Sequence, residues 1–541
     1  MPSAHLDTFV ADRLPPPEHL PRLLFGLPEL QFGAQINCAG ELLDRWVAAG
    51  EGARLAVLGA APDGTPIEWS YEDLQARANR IANVLVAEQG LVPGNRVLLR
   101  GANSPMLAAC WFGVVKAGGI AVGTMPLLRA RELVAIVDKA AITHALVDAR
   151  LADELAAAQP LCPTLAHVLT FNGAAGTGLE AAMASQPAGF RNADTAADDT
   201  GLIAFTSGTT GGPKAALHFH RDVMAACACW PRHVLRASPD DRVIGSPPLA
   251  FTFGLGGLLL FPMSIGAACV LVEKVSPDAL PAAIATYGAS VCYTSPTAYR
   301  AMAAQLGGHD ISSLRKCVSA GEALPAATRT LWKQDTGIEI IDGIGSTELL
   351  HIFISATEAQ ARGGATGYVV PGYEACVLGD DGRPLPPGQV GRLAVRGPTG
   401  CKYLADERQK TYVQDGWNLT GDAYLIDAAD GQFVYQARTD DMIISGGYNI
   451  AGPEIESALL LHPVVADCGV VGVADAERGQ IVKAFVVLKP GHVGDAAMAK
   501  ALQEFVKQTI APYKYPRAIA FCDALPRTEN GKMQRYKLRS G

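Results

Sequence analysis

The sequence has no surplus of positive charge, no paired cysteines and no unbroken hydrophobic run, and each absence closes a class of function. Its formal net charge is −8 at pH 7, which argues against nucleic acid or an anionic membrane as the main partner. Anionic substrates must therefore be held locally. The 12 cysteines are scattered; Cys227 and Cys229 stand close together, but no pair of CxxC units and no Cys/His cluster carries zinc spacing. Reduced cytoplasmic thiols are the expected state. Residues 1–17 hold acids and prolines without an apolar core, so neither a secretory signal nor a transit peptide is expected. The apolar run Phe253 to Val272 is long enough to imitate a membrane span, yet Gly254, Gly256, Gly257, Pro262 and Gly266 interrupt it. It reads as a buried strand–helix–strand segment, and no membrane partner is expected.

What is present is a globular composition, with 49% hydrophobic and 18% charged residues. At 541 residues the chain exceeds what one core serves, so at least two domains are expected. Leu42, Leu43, Trp46 and Val47 recur at helical spacing in a lead-in segment, and Ser70 with Asp73 makes a capping box for a helix whose inner face is Leu74, Ala78, Ile81 and Leu85. Strand 97–99, helix 106–116, strand 120–122, a helix around 132–137 and strand 145–147 follow in βαβα order, which predicts parallel sheet with helices on its faces. A Gly/Ala/Asp-rich surface link is expected over 172–199, further αβ units to about 341, and a small β-rich subdomain at about 350–437 with turn signals at Asp380-Asp381-Gly382 and Pro386-Pro387-Gly388. The texture changes to a compact α+β unit at 438–541, which places the domain boundary at Arg438–Asp440.

Directly after the apolar strand 201–205 comes Thr206-Ser207-Gly208-Thr209-Thr210-Gly211-Gly212-Pro213-Lys214. Glycines let backbone N–H groups turn toward an anion, the hydroxyls add neutral donors and Lys214 adds one mobile positive charge, so the loop suits a polyphosphate. It is not a Walker A loop, because Pro213 stands where that motif needs its last glycine and Ala215 follows the lysine. A glycine loop at a strand end lies where α/β folds bind ligands.

Four more segments follow: Asp342-Gly343-Ile344-Gly345-Ser346-Thr347-Glu348, Thr420-Gly421-Asp422, Arg438-Thr439-Asp440-Asp441 and Pro526-Arg527-Thr528-Glu529-Asn530-Gly531-Lys532. Taken singly, Asp422 reads as a turn residue, Arg438 as a surface ion-pair partner and Glu348 as a helix first-turn acid. In this order, together with the loop, they resemble the acyl-adenylate-forming superfamily of acyl-CoA synthetases, peptide-synthetase adenylation domains and luciferases. The resemblance covers nearly the whole chain. It implies an α/β fold: a large N-terminal domain of parallel-rich sheets with packed helices and a small β-rich subdomain, followed by a small mobile α+β C-terminal domain.

The resemblance also implies the chemistry. ATP activates a carboxylate to an acyl-AMP, the C-terminal domain rotates, and a thiol displaces AMP. Thr206, Ser207, Gly208, Thr209, Thr210 and Lys214 are implied at the leaving phosphates, Thr347 at the α-phosphate and Glu348 at Mg²⁺, a hard ion that prefers oxygen ligands. Asp422 and Arg438 are implied at the ribose, Gly321, Glu322, Asp342, Gly343 and Ile344 around the nucleotide, and Lys532 at the reacting carboxylate. Ile344 stands where most members carry an aromatic residue against adenine. Asp440 matches the hinge, and Gly446 with Gly447 match the residues lining the pantetheine tunnel of coenzyme A.

The phrase Asp-Gly-Ile-Gly-Ser-Thr-Glu-Leu-Leu-His at 342–351 and the stretch from Gln436 to Glu454 resemble the aryl-CoA ligase branch, which acts on benzoate and 2-aminobenzoate. That branch implies a pocket for a small aromatic acid from Phe251, Thr252, Gly254, Tyr293, Ala320, Gly343, Gly345 and His351. Phe251 offers a flat face and Gly343 room at a ring edge, while Thr252, Tyr293 and His351 are candidate partners for an ortho-amino group. Between the two acids, 2-aminobenzoate is favoured by the lead-in and by 412–424. A monomer or homodimer using ATP, Mg²⁺ and CoA is expected. The rival readings are an adenylating protein that loads a separate carrier protein, and a nucleotide-binding regulator without turnover.

Overall fold

The computed structural model describes residues 3–206, 212–273, 276–439, 441–445, 448–475, 478–528 and 532–539, without the side chains of 448 and 449. Ser207, Gly208, Thr209, Thr210, Asp440, Gly446 and Gly447 lie outside the described residues.

Two large sheets carry the N-terminal part. The six-stranded sheet has the order His167–Phe171, His144–Asp148, Arg96–Arg100, Ile120–Thr124, Thr200–Thr206 and Lys214–Phe219. Its first five strands run parallel and its last is antiparallel. The nine-stranded sheet has a parallel centre, Ile340–Gly345, Lys316–Ser319, Val291–Thr294, Arg242–Gly245, Ala268–Leu271 and Leu55–Ala60, with antiparallel strands at both edges. Strands such as Arg96–Arg100 are buried along their whole length, as a parallel sheet covered by helices on both faces requires.

The helices between the sheets form for local reasons. Ser70 Oγ accepts the Asp73 N–H and Asp73 Oδ2 accepts the Ser70 N–H, both at 3.1 Å, a cap worth about 1 kcal/mol. The helix Tyr71–Asn83 then buries Leu74, Ala78 and Ile81, with Leu85 in the following turn. Helix Pro105–Lys116 starts at the Ser104 cap and is buried almost throughout. It packs so closely that a Cβ on Gly113 would lie 2.6 Å from Ile81, and one on Gly59 of the other sheet 2.9 Å from Pro105.

Three sequence expectations change. The run 253–272 opens as helix (Thr252–Leu255, a wider turn Gly256–Leu260, Phe261–Ile265), with its strand at Ala268–Leu271. Glycines spaced along one helix face let it pack against rings, which overrides their poor helix propensity. The stretch 172–199 is not simply a surface link: it contains helix Gly178–Ala184, and Asn79 donates to the Ala188 carbonyl at 2.7 Å while Thr195 donates to the Ile36 carbonyl at 2.6 Å. Its small side chains let neighbouring polar groups reach the backbone. In the β-rich part, Ile352–Ser355 and Tyr368–Val369 extend the nine-stranded sheet; the separate five-stranded sheet runs from Glu374 to Arg438.

The C-terminal unit begins with strand Ile443–Ser445 and has its own five-stranded sheet and core, in which helices Gly452–Leu459 and Ala496–Thr509 cover Val470, Val482, Ala484 and Val486. Among the described residues no helix is long and apolar enough to cross a membrane.

Candidate active site

Thr206 and Lys214 face each other as the last and first residues of two paired strands, so the glycine-rich segment leaves and returns at one point of the six-stranded sheet. Lys214 Nζ lies 3.4 Å from the Tyr403 hydroxyl, and that hydroxyl donates to Glu348 Oε1. The Tyr412 hydroxyl stands 3.5 Å from the other Glu348 oxygen and 3.3 Å from Ser346 Oγ. Glu348 owes its place to the turn after strand Ile340–Gly345: Ser346 Oγ accepts the Leu349 N–H at 3.2 Å and Leu350 takes a φ of 71°, which folds the chain back into Ile352–Ser355. Thr347 is half-buried beside it.

Among the described residues there is no cluster of three or more His, Cys, Asp or Glu able to hold a metal. A single buried carboxylate surrounded by hydroxyls and one ammonium instead suits a hard cation that arrives with phosphate oxygens and keeps several waters, which is how Mg²⁺ is usually bound. The residues present therefore fit Mg²⁺.

Asp422 and Arg438 are register partners on adjacent strands, 3.2 Å apart, and Arg438 also donates to the Thr420 carbonyl at 3.0 Å. Gly421 is required here: its φ is +77°, and a Cβ would stand 2.6 Å from the Arg438 guanidinium. Burial pushes the Asp422 carboxyl up, with Arg438 opposing. Burial likewise pushes Asp342 up to about 7, opposed by Arg329. Ile344, which follows on the same strand, is half-buried.

The Lys532 side chain lies over Gly321, whose φ is +90°; a Cβ there would be 3.7 Å from Lys532 Cε. Its backbone is fixed by Thr528, which donates its N–H to the Lys532 carbonyl at 2.7 Å and accepts the Lys532 N–H on its hydroxyl at 3.2 Å. Next to Gly321, Glu322 accepts from Thr297 at 2.7 Å and from Arg527 at 2.8 Å. Burial raises the Glu322 carboxyl, while Arg527 opposes the rise.

The candidate acyl residues fall on two faces of the helix that starts after Phe251. Phe251 and Thr252 line a small apolar cavity between the sheets with Leu99, Trp111, Gly123 and Leu202. On the other face, Phe253 lies 5.8 Å from Tyr293 and 5.7 Å from His351 between ring centroids, and Phe261 meets His351 edge-on at 4.4 Å. A Cβ on Gly256 would be 2.5 Å from the His351 ring. Both His351 nitrogens are buried without a hydrogen-bond partner; the Phe253 carbonyl faces the ring without closing a well-formed bond. Burial lowers His351 to about 3, so it is neutral. The Tyr293 hydroxyl is also buried and unpartnered, with Asp241 and Cys227 as its titratable neighbours. Ala320 is buried at the end of its strand, adjoining Gly321. The missing Cβ of Gly343 is replaced by Ile352 at 2.7 Å, that of Gly345 by the His351 carbonyl at 2.6 Å, and that of Gly254 by the Pro248 carbonyl at 2.1 Å.

The sequence motifs do not mark Tyr403, Tyr412, Arg527 as a cross-domain partner, or the rings of Trp230, Phe253 and Phe261 around His351. Tyr403 is 55 residues from the acid it holds, and no local spacing signals such a bond. For Phe253 a signal existed: Phe253, Gly256, Gly257 and Phe261 repeat at helical spacing, with two glycines admitting rings.

The AMP-binding enzyme family matches residues 44–403, and the AMP-binding enzyme C-terminal domain matches residues 454–532. The chain is 34% identical over 522 residues to a benzoate–CoA ligase of Thauera aromatica, covering 95% of this chain and 97% of that protein. It superposes with a TM-score of 0.90 on the anthranilate CoA ligase AuaEII in complex with anthranoyl-AMP, at 34% identity over 95% of this chain and 98% of that one. It also superposes with a TM-score of 0.84 on a benzoate CoA ligase from Burkholderia xenovorans LB400, at 30% identity over 93% and 100% of the two chains.

Proposed function

The chain belongs to the AMP-binding enzyme family, and from that premise we propose that it is an aryl-CoA ligase whose acid is 2-aminobenzoate. The observation that carries the choice of acid is His351, neutral and buried among the rings of Phe253, Phe261 and Trp230 with neither nitrogen bonded. A neutral imidazole offers one lone pair and one N–H. An ortho-amino group donates to that lone pair, whereas benzoate leaves it orphaned at about 1–3 kcal/mol.

In this reading a carboxylate oxygen of the acid attacks the α-phosphorus of ATP and the bond to pyrophosphate breaks. Lys532 and Thr347 steady the charge at the bond being made, and Lys214 with the loop hydroxyls steadies the leaving phosphates. Glu348 holds Mg²⁺, which supplies neutralisation of phosphate charge when bound. Asp422 and Arg438 hold the ribose. The C-terminal unit, starting at 438–440, then rotates about Asp440 and the CoA thiol attacks the acyl carbon, past Gly446 and Gly447, with AMP leaving.

The test is a panel of kcat/KM values for 2-aminobenzoate, benzoate, halobenzoates, acetate and a medium-chain fatty acid, each with and without CoA. The expected result is preference for 2-aminobenzoate over benzoate by tenfold or more, which His351→Leu lowers to within about threefold. Preference for a fatty acid would overturn the aryl pocket, preference for benzoate would overturn the choice of acid, and product only on a carrier protein would overturn the thiol acceptor.

A further inference from the structure

Lys214 and Glu348 come from different sheets and carry opposite charge, yet no direct ion pair joins them among the described residues; the Tyr403 hydroxyl stands between, accepting from the lysine at 3.4 Å and donating to the carboxylate. We propose that Tyr403 is a positioning residue for adenylation, a neutral spacer that keeps the phosphate-loop lysine and the metal-binding carboxylate aligned but apart, so that both are available when ATP arrives. The proposal rests on the adenylation reading above.

A phenol suits this place because one hydroxyl both accepts and donates. A phenylalanine would leave Glu348 and Lys214 free to close on one another, and a lysine–carboxylate pair formed there would compete with phosphate and cation for both charges. The backbone that carries the phenol is tied down on both sides. The Tyr403 N–H donates to Gln409 Oε1 at 2.9 Å, and the flanking backbone is stitched to the lysine's own strand by Leu217 N–H to the Lys402 carbonyl at 2.7 Å and Leu404 N–H to the Ala215 carbonyl at 2.9 Å. Tyr403 is fully buried, and its ring meets Tyr412 edge-on at 5.8 Å. Three separate parts of the fold therefore converge on one oxygen: the strand that carries Lys214, the turn that carries Glu348, and the segment that carries Tyr403.

The experiment measures Mn²⁺ binding with α,β-methylene-ATP by the loss of the free Mn²⁺ paramagnetic signal, beside acid-dependent pyrophosphate release. The unaltered protein must bind the pair and release pyrophosphate; failure there overturns the adenylation reading itself, whatever Tyr403 does. Tyr403→Phe is expected to weaken Mn²⁺·nucleotide binding about tenfold, leave thioester formation from supplied acyl-AMP unchanged, and add nothing to Lys214→Met in the double variant. Binding equal to the unaltered protein, or additive losses in the double variant, overturns the proposal. A second cycle leaves Tyr403 itself unaltered and so survives a Tyr403→Phe protein that folds poorly. Lys214→Met and Glu348→Gln are expected to show at least threefold coupling through the phenol, and strict additivity between them overturns it.

Discussion

Arg527 bridges the two units of the chain: one guanidinium nitrogen lies 2.8 Å from Glu322 of the N-terminal part and another 2.8 Å from Asp467 of the C-terminal sheet. Both Arg527 and Glu322 are largely buried, so the pair is not a solvated surface contact. It stands five residues before Lys532 and one residue after Gly321 in the two segments that meet, beside the point where the Lys532 side chain covers Gly321. Glu322→Gln removes the charge but keeps the shape, and is expected to slow acid-dependent pyrophosphate release at least tenfold while thioester formation from supplied acyl-AMP stays within twofold. Stopped-flow measurement of the two half-reactions checks this; equal loss in both would assign the pair to general stability.

Lys532→Ala is expected to lower the adenylation rate by about 10²–10³, the usual cost of removing one charge-stabilising donor at a reacting centre. Thioester formation from supplied acyl-AMP should be largely spared, because in the proposed reaction the lysine leaves when the domain turns. Single-turnover assays of each half-reaction decide it, and parallel loss in both would refute the role.

Asp342 gives a pH signature. Its carboxyl rises from 3.8 to about 7 through burial, so in that window the folded chain keeps a proton that the unfolded chain releases. The associated stability is complete below the unfolded value and is lost as pH climbs, by up to about 4 kcal/mol at pH 7 and above. Asp342→Asn lacks this loss. The difference in urea midpoint, variant minus unaltered protein, should therefore grow in the variant's favour from pH 4.5 to pH 7.5. A difference that is flat with pH would contradict the shift.

The Lys402–Asp222 ion pair, 2.8 Å apart, is buried on both sides. Lys402→Met leaves Asp222 as an uncompensated buried charge and is expected to cost about 3–5 kcal/mol. Adding Asp222→Asn should recover part of that loss, since the remaining polar atom can still accept the Phe219 N–H at its helix start. Chemical denaturation of the two variants is the measurement; a double variant less stable than Lys402→Met alone would reverse the explanation.

Much of the site was legible in the sequence because its chemistry is local. The glycine loop directly follows its strand, and Asp342 to Glu348 lie on one strand end and the turn after it. The acyl pocket was less legible. Thr252 and His351 were candidates for the same ring contact, yet the helix after Phe251 turns Thr252 toward Leu99 and Trp111 while His351 meets Phe253 on the opposite face. Reading 253–272 as starting in a strand hid that division, because a period of two and a period of 3.6 place alternate residues on different faces.

By itself the sequence determined most of the order of the elements and the parallel centre of the sheets, which follow from short-range spacing; the proposed phosphate, ribose and carboxylate groups rest on the order of its motifs and their resemblance to a family. Only the tertiary structure decided which groups share an oxygen or a carboxylate: Tyr403 between Lys214 and Glu348, Arg527 on Glu322, and the rings that enclose His351. The reason is physical. A hydrogen bond forms within about 3 Å whatever the separation along the chain, and these partners are 55 to 205 residues apart, so only the packing of whole sheets and helices brings them into reach.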